Sequence, residues 1–187
     1  MSEASSRVLT VPNGLSLSRI LLIPVFCALI VDHDTSRAGL LLFGAVCATD
    51  WVDGWVARRT GQVSDLGKVL DPVADRLAIL SGLIALVVRG AFPLAAAIPI
   101  LGRDLAVIAA GAALLARKRA TIEVRFVGKA ATFSLMVAIG AVSWGNLDLP
   151  LAHAFLGLGW VAYGIGIVEY AIATAAYALD VRRALAA

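Results

Sequence analysis

The sequence predicts an all-α membrane protein with six transmembrane helices. Of its 187 residues, 60% are hydrophobic and only 16% are charged, and the mean hydropathy is +0.90. A helix that crosses the hydrocarbon core needs about 20 mostly apolar residues, and the predicted spans are about 15–31, 37–58, 66–88, 94–116, 126–145 and 154–180. This length leaves no room for a separate soluble domain. We therefore expect one integral-membrane domain over residues 1–187, in which residues 1–14 form an N-terminal cytoplasmic segment.

The basic residues divide unequally between the two faces that six alternating spans define. One face, which includes both termini, holds Arg7, Arg58, Arg59, Lys68, Arg117, Lys118, Arg119, Arg125, Lys129, Arg182 and Arg183, with Arg19 close by. The opposite face holds only Arg37 and Arg89. Because short basic connections stay in the cytoplasm, we expect a multi-pass protein of the cytoplasmic membrane with both termini inside. The formal net charge of +3 fits contact with membrane lipids and predicts no nucleic-acid partner.

Four aspartates lie near the adjoining ends of the second and third predicted helices. Asp50 and Asp53 are three residues apart and Asp71 and Asp75 are four apart, so each pair lies on one helix face. The chain turns back between the pairs, which makes the two helices antiparallel. At about 1.5 Å per residue, all four positions lie roughly 6 to 12 Å inside the cytoplasmic helix ends. The spacing therefore predicts one carboxylate cluster just below the cytoplasmic surface.

Four ionised carboxylates in an apolar chain need a positive counter-charge, because a charged side chain near the bilayer core costs about 3 kcal/mol. An all-oxygen ligand set without His or Cys favours Mg²⁺, Mn²⁺ or Ca²⁺ over zinc or copper. Two divalent cations about 4 Å apart would match the two-metal arrangement of phosphoryl chemistry. The small residues Gly54, Ala57 and Gly67 on the same faces would leave space for a nucleotide or diphosphate.

Eight positions in these two helices form one gapped motif. It reads Asp50-x-x-Asp53-Gly54-x-x-Ala57-Arg58, then eight residues, then Gly67-x-x-x-Asp71-x-x-x-Asp75. Every position matches the signature of the CDP-alcohol phosphatidyltransferases, so the chain resembles this family over essentially its whole length. The resemblance implies a fold of six transmembrane helices that commonly forms a homodimer. It also implies transfer of a phosphatidyl group from CDP-diacylglycerol to an acceptor hydroxyl, with release of CMP.

The resemblance also implies roles for the residues of the motif. Two divalent cations, Mg²⁺ or Mn²⁺, would be bound by Asp50, Asp53, Asp71 and Asp75, and Asp75 would be the catalytic base for the acceptor hydroxyl. The positions that would contact the CDP moiety are Asp50, Asp53, Gly54, Ala57, Arg58 and Gly67.

The acceptor is predicted from sequence features outside the eight-position motif. The opening Pro12-Asn13-x-Leu15-Ser-x-x-Arg19 resembles family members that make phosphatidylglycerophosphate or cardiolipin. Arg103-Asp104 and the stretch 127–136 resemble the cardiolipin-synthase-type branch, which favours phosphatidylglycerol as acceptor over the alternative, glycerol 3-phosphate. A phosphate on the acceptor calls for Arg or Lys, and the candidates are Arg19, Arg76, Arg103, Arg125 and Lys129.

Two other classes of function are compatible with charges inside the spans. The aspartates could line the path of a divalent cation or a proton in a transporter, or they could form interhelical ion pairs with Arg58, Arg76 and Lys68 in a purely structural bundle. Likewise, Arg103 and Glu169 could form a structural pair between the fourth and sixth helices.

Overall fold

The computed structural model describes residues 11–60, 67–116 and 126–186, and within these ranges the chain forms six α-helices and no strand. The helices are α1 (Val11–Val31), α2 (Ser36–Thr60), α3 (Gly67–Val88), α4 (Leu94–Ala116), α5 (Phe126–Asn146) and α6 (Ala152–Ala186). The predicted all-helical class and the order of the helices are confirmed for the described residues.

Two helix boundaries differ by more than two residues from the sequence-based prediction. Helix α1 begins at Val11, so Pro12, Asn13 and Gly14 belong to its first turn and not to the predicted N-terminal segment that precedes it. Proline is tolerated there because the first N–H groups of a helix have no intrahelical acceptor. Helix α6 extends to Ala186, beyond the predicted end at residue 180. Hydropathy marks where an apolar stretch ends, and a helix can continue past that point into charged sequence.

By length and composition, one described stretch is apolar enough to cross a membrane by itself, namely Ala152–Ala176 in α6. Three shorter apolar stretches are Leu17–Val31, Ser36–Thr49 and Ala130–Asn146, in α1, α2 and α5.

The chain divides into two compact units, Met1–Gly90 and Ala91–Ala187. In the first unit, α1 and α2 form an antiparallel hairpin whose connection is held by its own polar side chains. The Asp32 carboxylate accepts the N–H of Asp34 at 3.0 Å, and Thr35 Oγ1 donates to the carbonyl of Leu29 at 3.0 Å. This short connection forces the two helices into close contact immediately after it.

Gly39 makes that close contact possible. A Cβ atom at this position would lie 2.5 Å from the backbone nitrogen of Ile30 and 2.9 Å from its Cα. Four residues further along α2 and four back along α1, the rings of Phe43 and Phe26 pack with centroids 5.3 Å apart. Gly82 of α3 also lies against the Phe43 ring, because a Cβ atom added there would come within 2.3 Å of a ring carbon. Helices α1, α2 and α3 thus pack around the Phe26–Phe43 pair.

In the second unit, α5 and α6 form an antiparallel pair with matching glycines. Gly159 faces the backbone of Val142, and seven residues further along α6, Gly166 faces Leu135, seven residues back along α5. Helix α4 runs parallel to α6. The Tyr163 hydroxyl of α6 donates to the carbonyl of Ala96 on α4 at 3.1 Å. Seven residues further along both helices, Arg103 of α4 donates to the hydroxyl of Tyr170 of α6.

We predict that Gly39→Ala lowers the free energy of unfolding by about 1–3 kcal/mol, because the new methyl group meets backbone atoms of α1 that cannot move aside. The matched control is Gly44→Ala on the same helix, where no atom lies within 4 Å of an added Cβ. That control should be neutral or more stable by about 0.5–1 kcal/mol, since alanine favours the helix. Thermal unfolding in detergent measures both, and equal behaviour would contradict the close α1–α2 approach.

Candidate active site

The backbone places both aspartate pairs on continuous helix. Asp50 and Asp53 lie in the last three turns of α2, and Asp71 and Asp75 lie in the first three turns of α3. Six residues, 61–66, separate the two helix ends. The three- and four-residue spacings therefore keep each pair on one helix face, as predicted.

Several predicted site residues have side chains outside the described part of the structure. Eight of these residues lie within helices, and they are Asp50, Asp53, Gly54, Ala57, Arg58, Gly67, Asp71 and Lys129. Arg125 lies wholly outside the described residues. The described candidates are Asp75, Arg19, Arg76 and Arg103.

Asp75 forms an ion pair with Arg19 across the α1–α3 contact. The Arg19 guanidinium donates through Nη1 to Asp75 Oδ1. Arg19 is the ninth residue of α1 and Asp75 is the ninth residue of α3, so both lie about 12 Å from the start of their helices. The Arg19 side chain is only 5% exposed and that of Asp75 is 27% exposed. Arg76, the next residue on α3, is half-buried.

This ion pair joins Asp75, the predicted catalytic base, to the buried guanidinium of Arg19. Because the Arg19 side chain is buried, removing Asp75 would leave its charge uncompensated, which costs up to about 3–5 kcal/mol. From the sequence, Arg19 was a candidate for the acceptor phosphate, and the candidate partners of the acids were Arg58, Arg76 and Lys68. The equal depth of residues 19 and 75 was the available signal, but the predicted start of the first span at about residue 15 was too late to show it.

The donor chemistry of the aspartate cluster fits a hard divalent cation. The motif supplies four carboxylates and no nitrogen or sulfur ligand, and Asp75 is held as a charged partner of Arg19. Among the described side chains alone, no group of three or more His, Cys, Asp or Glu could hold a metal ion. Three of the four aspartate side chains lie outside that set.

A second polar cluster joins α4 to α6. Arg103 Nε donates to Thr174 Oγ1 at 3.3 Å, and Arg103 Nη1 donates to Asp104 Oδ1 at 3.2 Å and to the Tyr170 hydroxyl at 3.3 Å. The guanidinium lies 4.1 Å from the centroid of the Tyr170 ring, a distance at which a cation is attracted by the ring. The Tyr170 hydroxyl in turn donates to Asp104 Oδ1. The positive charge of Arg103 is thus balanced within its own unit.

The suggested Arg103–Glu169 pair is wrong. Glu169 Oε2 accepts a hydrogen bond from Ser134 Oγ of α5 at 2.9 Å, while Arg103 pairs with its neighbour Asp104. Residues 169 and 170 are adjacent on α6 and therefore point about 100° apart around the helix, so Tyr170 reaches α4 and Glu169 reaches α5. Tyr170 and Thr174 were not among the predicted site residues, although their four-residue spacing on α6 places both on one face.

Comparison of the sequence with known proteins identifies a family. Residues 9–174 match the family model of the CDP-alcohol phosphatidyltransferases. The chain is 37% identical over 163 residues to a Streptomyces coelicolor protein named cardiolipin synthase (CMP-forming), covering 84% of this chain and 71% of that relative. It is 34% identical over 167 residues to the CDP-diacylglycerol–glycerol-3-phosphate 3-phosphatidyltransferase of Bacillus subtilis, covering 81% of this chain and 86% of that relative.

The chain belongs to the CDP-alcohol phosphatidyltransferase family. It is therefore an enzyme of phospholipid biosynthesis, as the resemblance in the aspartate motif predicted. The family is a group of membrane enzymes that generally depend on a divalent cation.

We predict that Asp104→Leu lowers the free energy of unfolding by about 3–5 kcal/mol, because it leaves the Arg103 charge without its carboxylate. The double variant Arg103→Met/Asp104→Leu should recover most of this loss, since an apolar pair in the same volume carries no uncompensated charge. Unfolding in detergent, followed by tryptophan fluorescence, measures both variants.

The matched control for this cluster is Tyr163→Phe, which removes a single hydrogen bond to a backbone carbonyl between the same two helices. Its expected cost is about 1 kcal/mol. A double variant as unstable as Asp104→Leu alone would show that the two charges do not compensate each other.

Proposed function

We propose that the protein is a cardiolipin synthase, which transfers a phosphatidyl group from CDP-diacylglycerol to a hydroxyl of phosphatidylglycerol and releases CMP. The complete eight-position motif on α2 and α3 carries the reaction class. The cardiolipin synthase (CMP-forming) of Streptomyces coelicolor supports the acceptor. The second candidate acceptor is glycerol 3-phosphate, supported by the 34% identity to the Bacillus subtilis enzyme.

In the proposed reaction, Asp75 accepts the proton of the acceptor hydroxyl. The hydroxyl oxygen attacks the β-phosphorus, which carries the diacylglycerol, and the bond from this phosphorus to the bridging oxygen breaks. The electron pair of that bond leaves with CMP. Because the hydroxyl attacks phosphorus directly, no protein nucleophile and no covalent intermediate are needed. The Arg19 contact holds one oxygen of the base in place.

Asp50, Asp53, Asp71 and Asp75 are the proposed ligands of two divalent cations, Mg²⁺ or Mn²⁺. When bound, these cations neutralise the pyrophosphate of the substrate. The same stretch would bind the CDP moiety. There Gly54, Ala57 and Gly67 leave room beside the backbone, and the proposed contacts also include Arg58.

The acceptor phosphate needs a cation beside it. Arg103 is bound to Asp104 and stacked on Tyr170, which makes it a weaker candidate than the sequence alone suggested. Lys129 lies in the first turn of α5, and Arg125 immediately precedes that helix. A helix N-terminus attracts anions through its unpaired N–H groups. We therefore favour Arg125 and Lys129 for the acceptor phosphate, with Arg76 and Arg103 as further candidates.

The proposed setting is the cytoplasmic membrane, with both termini and the aspartate cluster on the cytoplasmic side. The support is the excess of Lys and Arg on one face of the predicted spans. The single domain over residues 1–187 would work as a homodimer, which light scattering of the detergent-solubilised protein measures.

We predict that purified protein in mixed micelles with CDP-diacylglycerol, phosphatidylglycerol and Mg²⁺ or Mn²⁺ releases CMP and forms cardiolipin. Each acceptor is supplied in turn, and the lipid product is identified by mass spectrometry. Phosphatidylglycerophosphate formed from glycerol 3-phosphate, without cardiolipin, would establish the second candidate acceptor instead.

Two controls test the metal and the base in the same assay. EDTA should abolish CMP release by the wild type, and Asp75→Asn should abolish it in the presence of the cation, with either acceptor. Robust CMP release in either case would defeat the proposed mechanism. Cation uptake into proteoliposomes without any CMP release would identify a transporter.

We predict that single cysteines at positions 61 and 120, in a background with Cys27 and Cys47 replaced by alanine, react with impermeant thiol reagents only from the cytoplasmic side. The reason is that both positions lie in the basic connections of the predicted topology. A cysteine at exposed His153 serves as the matched probe of the opposite side. Labelling of positions 61 and 120 from outside the cell would refute the orientation.

A further inference from the structure

We propose that Arg19 is a positioning residue of the reaction, which fixes the orientation of the Asp75 carboxylate and lowers the affinity of the aspartate cluster for divalent cations. This inference rests on the proposed function, in which Asp75 is both the base and a metal ligand. It assigns to Arg19 a role different from binding the acceptor phosphate.

The first ground is the geometry of the Arg19–Asp75 pair. Arg19 comes from α1, outside the two helices that carry the motif, and its guanidinium reaches Asp75 Oδ1 at equal depth in parallel helices. A guanidinium offers its N–H groups in a rigid planar fork, so it fixes the direction of a carboxylate as well as its charge. Burial to 5% exposure limits the other positions that this side chain can adopt.

The pair is not needed merely to hold α1 against its neighbours. Further along these helices, α1 buries Phe26 and Ile30 completely, and α3 buries Leu83 and Leu86 completely. In a membrane-spanning bundle, such packing holds helices together by van der Waals contact. An arginine and a carboxylate placed near the catalytic end of the same unit therefore call for an explanation beyond packing.

The second ground is electrostatic. Arginine stays positively charged at every physiological pH, and a fixed positive charge beside a ligand carboxylate repels an incoming divalent cation. At the effective dielectric constant of a protein, charges several Å apart interact strongly enough to change a dissociation constant about tenfold or more. Arg19 also donates a hydrogen bond to Asp75 Oδ1, which leaves this oxygen with less capacity to coordinate a metal cation. With Arg19 present, the aspartate cluster would thus bind its cations more weakly than without it, and the Asp75 carboxylate would be held in one orientation.

Three variants separate the charge of Arg19 from its shape. Mn²⁺ affinity is measured by electron paramagnetic resonance on the purified full-length protein in detergent, without substrate, and kcat and KM are measured in the CMP-release assay. For Arg19→Gln, we expect the Kd for Mn²⁺ to fall about tenfold, because the repelling charge is gone. We expect kcat to fall about 100-fold, the scale of a base displaced by about 1 Å, while KM for both substrates stays unchanged.

Arg19→Lys keeps the charge but loses the planar fork. The Kd for Mn²⁺ should therefore stay at the wild-type value, while kcat falls by less than in Arg19→Gln. The matched control is Arg37→Gln, an exposed residue near the start of α2, about 20 Å along that helix from Asp50. This control should change neither the Kd nor kcat. Arg19→Lys also keeps the test decisive if Arg19→Gln does not fold.

The outcomes that overturn the proposal are distinct. Weaker or unchanged Mn²⁺ binding in Arg19→Gln would contradict the electrostatic part. A raised KM for the acceptor with unchanged kcat would make Arg19 an acceptor ligand, and a lower melting temperature with unchanged kcat would make it purely structural. If the wild type binds Mn²⁺ but releases no CMP, the proposed function fails, whereas the comparison of Mn²⁺ affinities still tests the charge of Arg19.

Discussion

An ionised side chain within an apolar helix is stable only beside an opposite charge or a hydrogen-bonding group, and this requirement decides which helix faces meet in both units. In the first unit, Arg19 is bound by Asp75 across the α1–α3 contact. In the second, Arg103 is bound by Asp104 and covered by Tyr170 across the α4–α6 contact. Polar side chains in such helices are costly to bury without partners. Each cluster therefore fixes the rotation of its helices at one level.

Close approach of the backbones complements these polar contacts. Apolar side chains alone allow two helices to slide or rotate, because one aliphatic face packs about as well as another. At Gly39, Gly159 and Gly166 the missing side chain admits the partner helix, so the register of each antiparallel pair is fixed. The ion pairs then lie at defined depths relative to these contacts. Each unit contains one antiparallel helix pair with glycine at the close contact, α1–α2 in the first unit and α5–α6 in the second. Each unit also contains a helix that runs parallel to one member of that pair and contributes a charged residue, Asp75 from α3 or Arg103 from α4.

The sequence predicted those features that depend on local pattern. Helix number, helix order and the helical spacing of Asp50, Asp53, Asp71 and Asp75 follow from hydropathy and from a period of 3.6 residues. The family followed from the same eight positions. The partners of Arg19 and Arg103 could not be predicted in this way, because an ion pair between helices depends on where each helix starts and how it is rotated. An error of four residues at the start of α1 was enough to hide the match with Asp75.

The two polar clusters belong to different units of the chain, and this division bears on how one reaction class can serve different acceptors. The motif and its Arg19 contact belong to the first unit. Their proposed action is on two features that both candidate reactions share, the diphosphate of CDP-diacylglycerol and the attacking hydroxyl of the acceptor. The second unit carries Arg103, the start of α5 and the Glu169–Ser134 pair, none of which the motif includes. Residues of α4 to α6 could therefore change without altering the motif chemistry. Overall identity does not distinguish the two candidate acceptors, since it is 37% to a relative named for one and 34% to a relative named for the other.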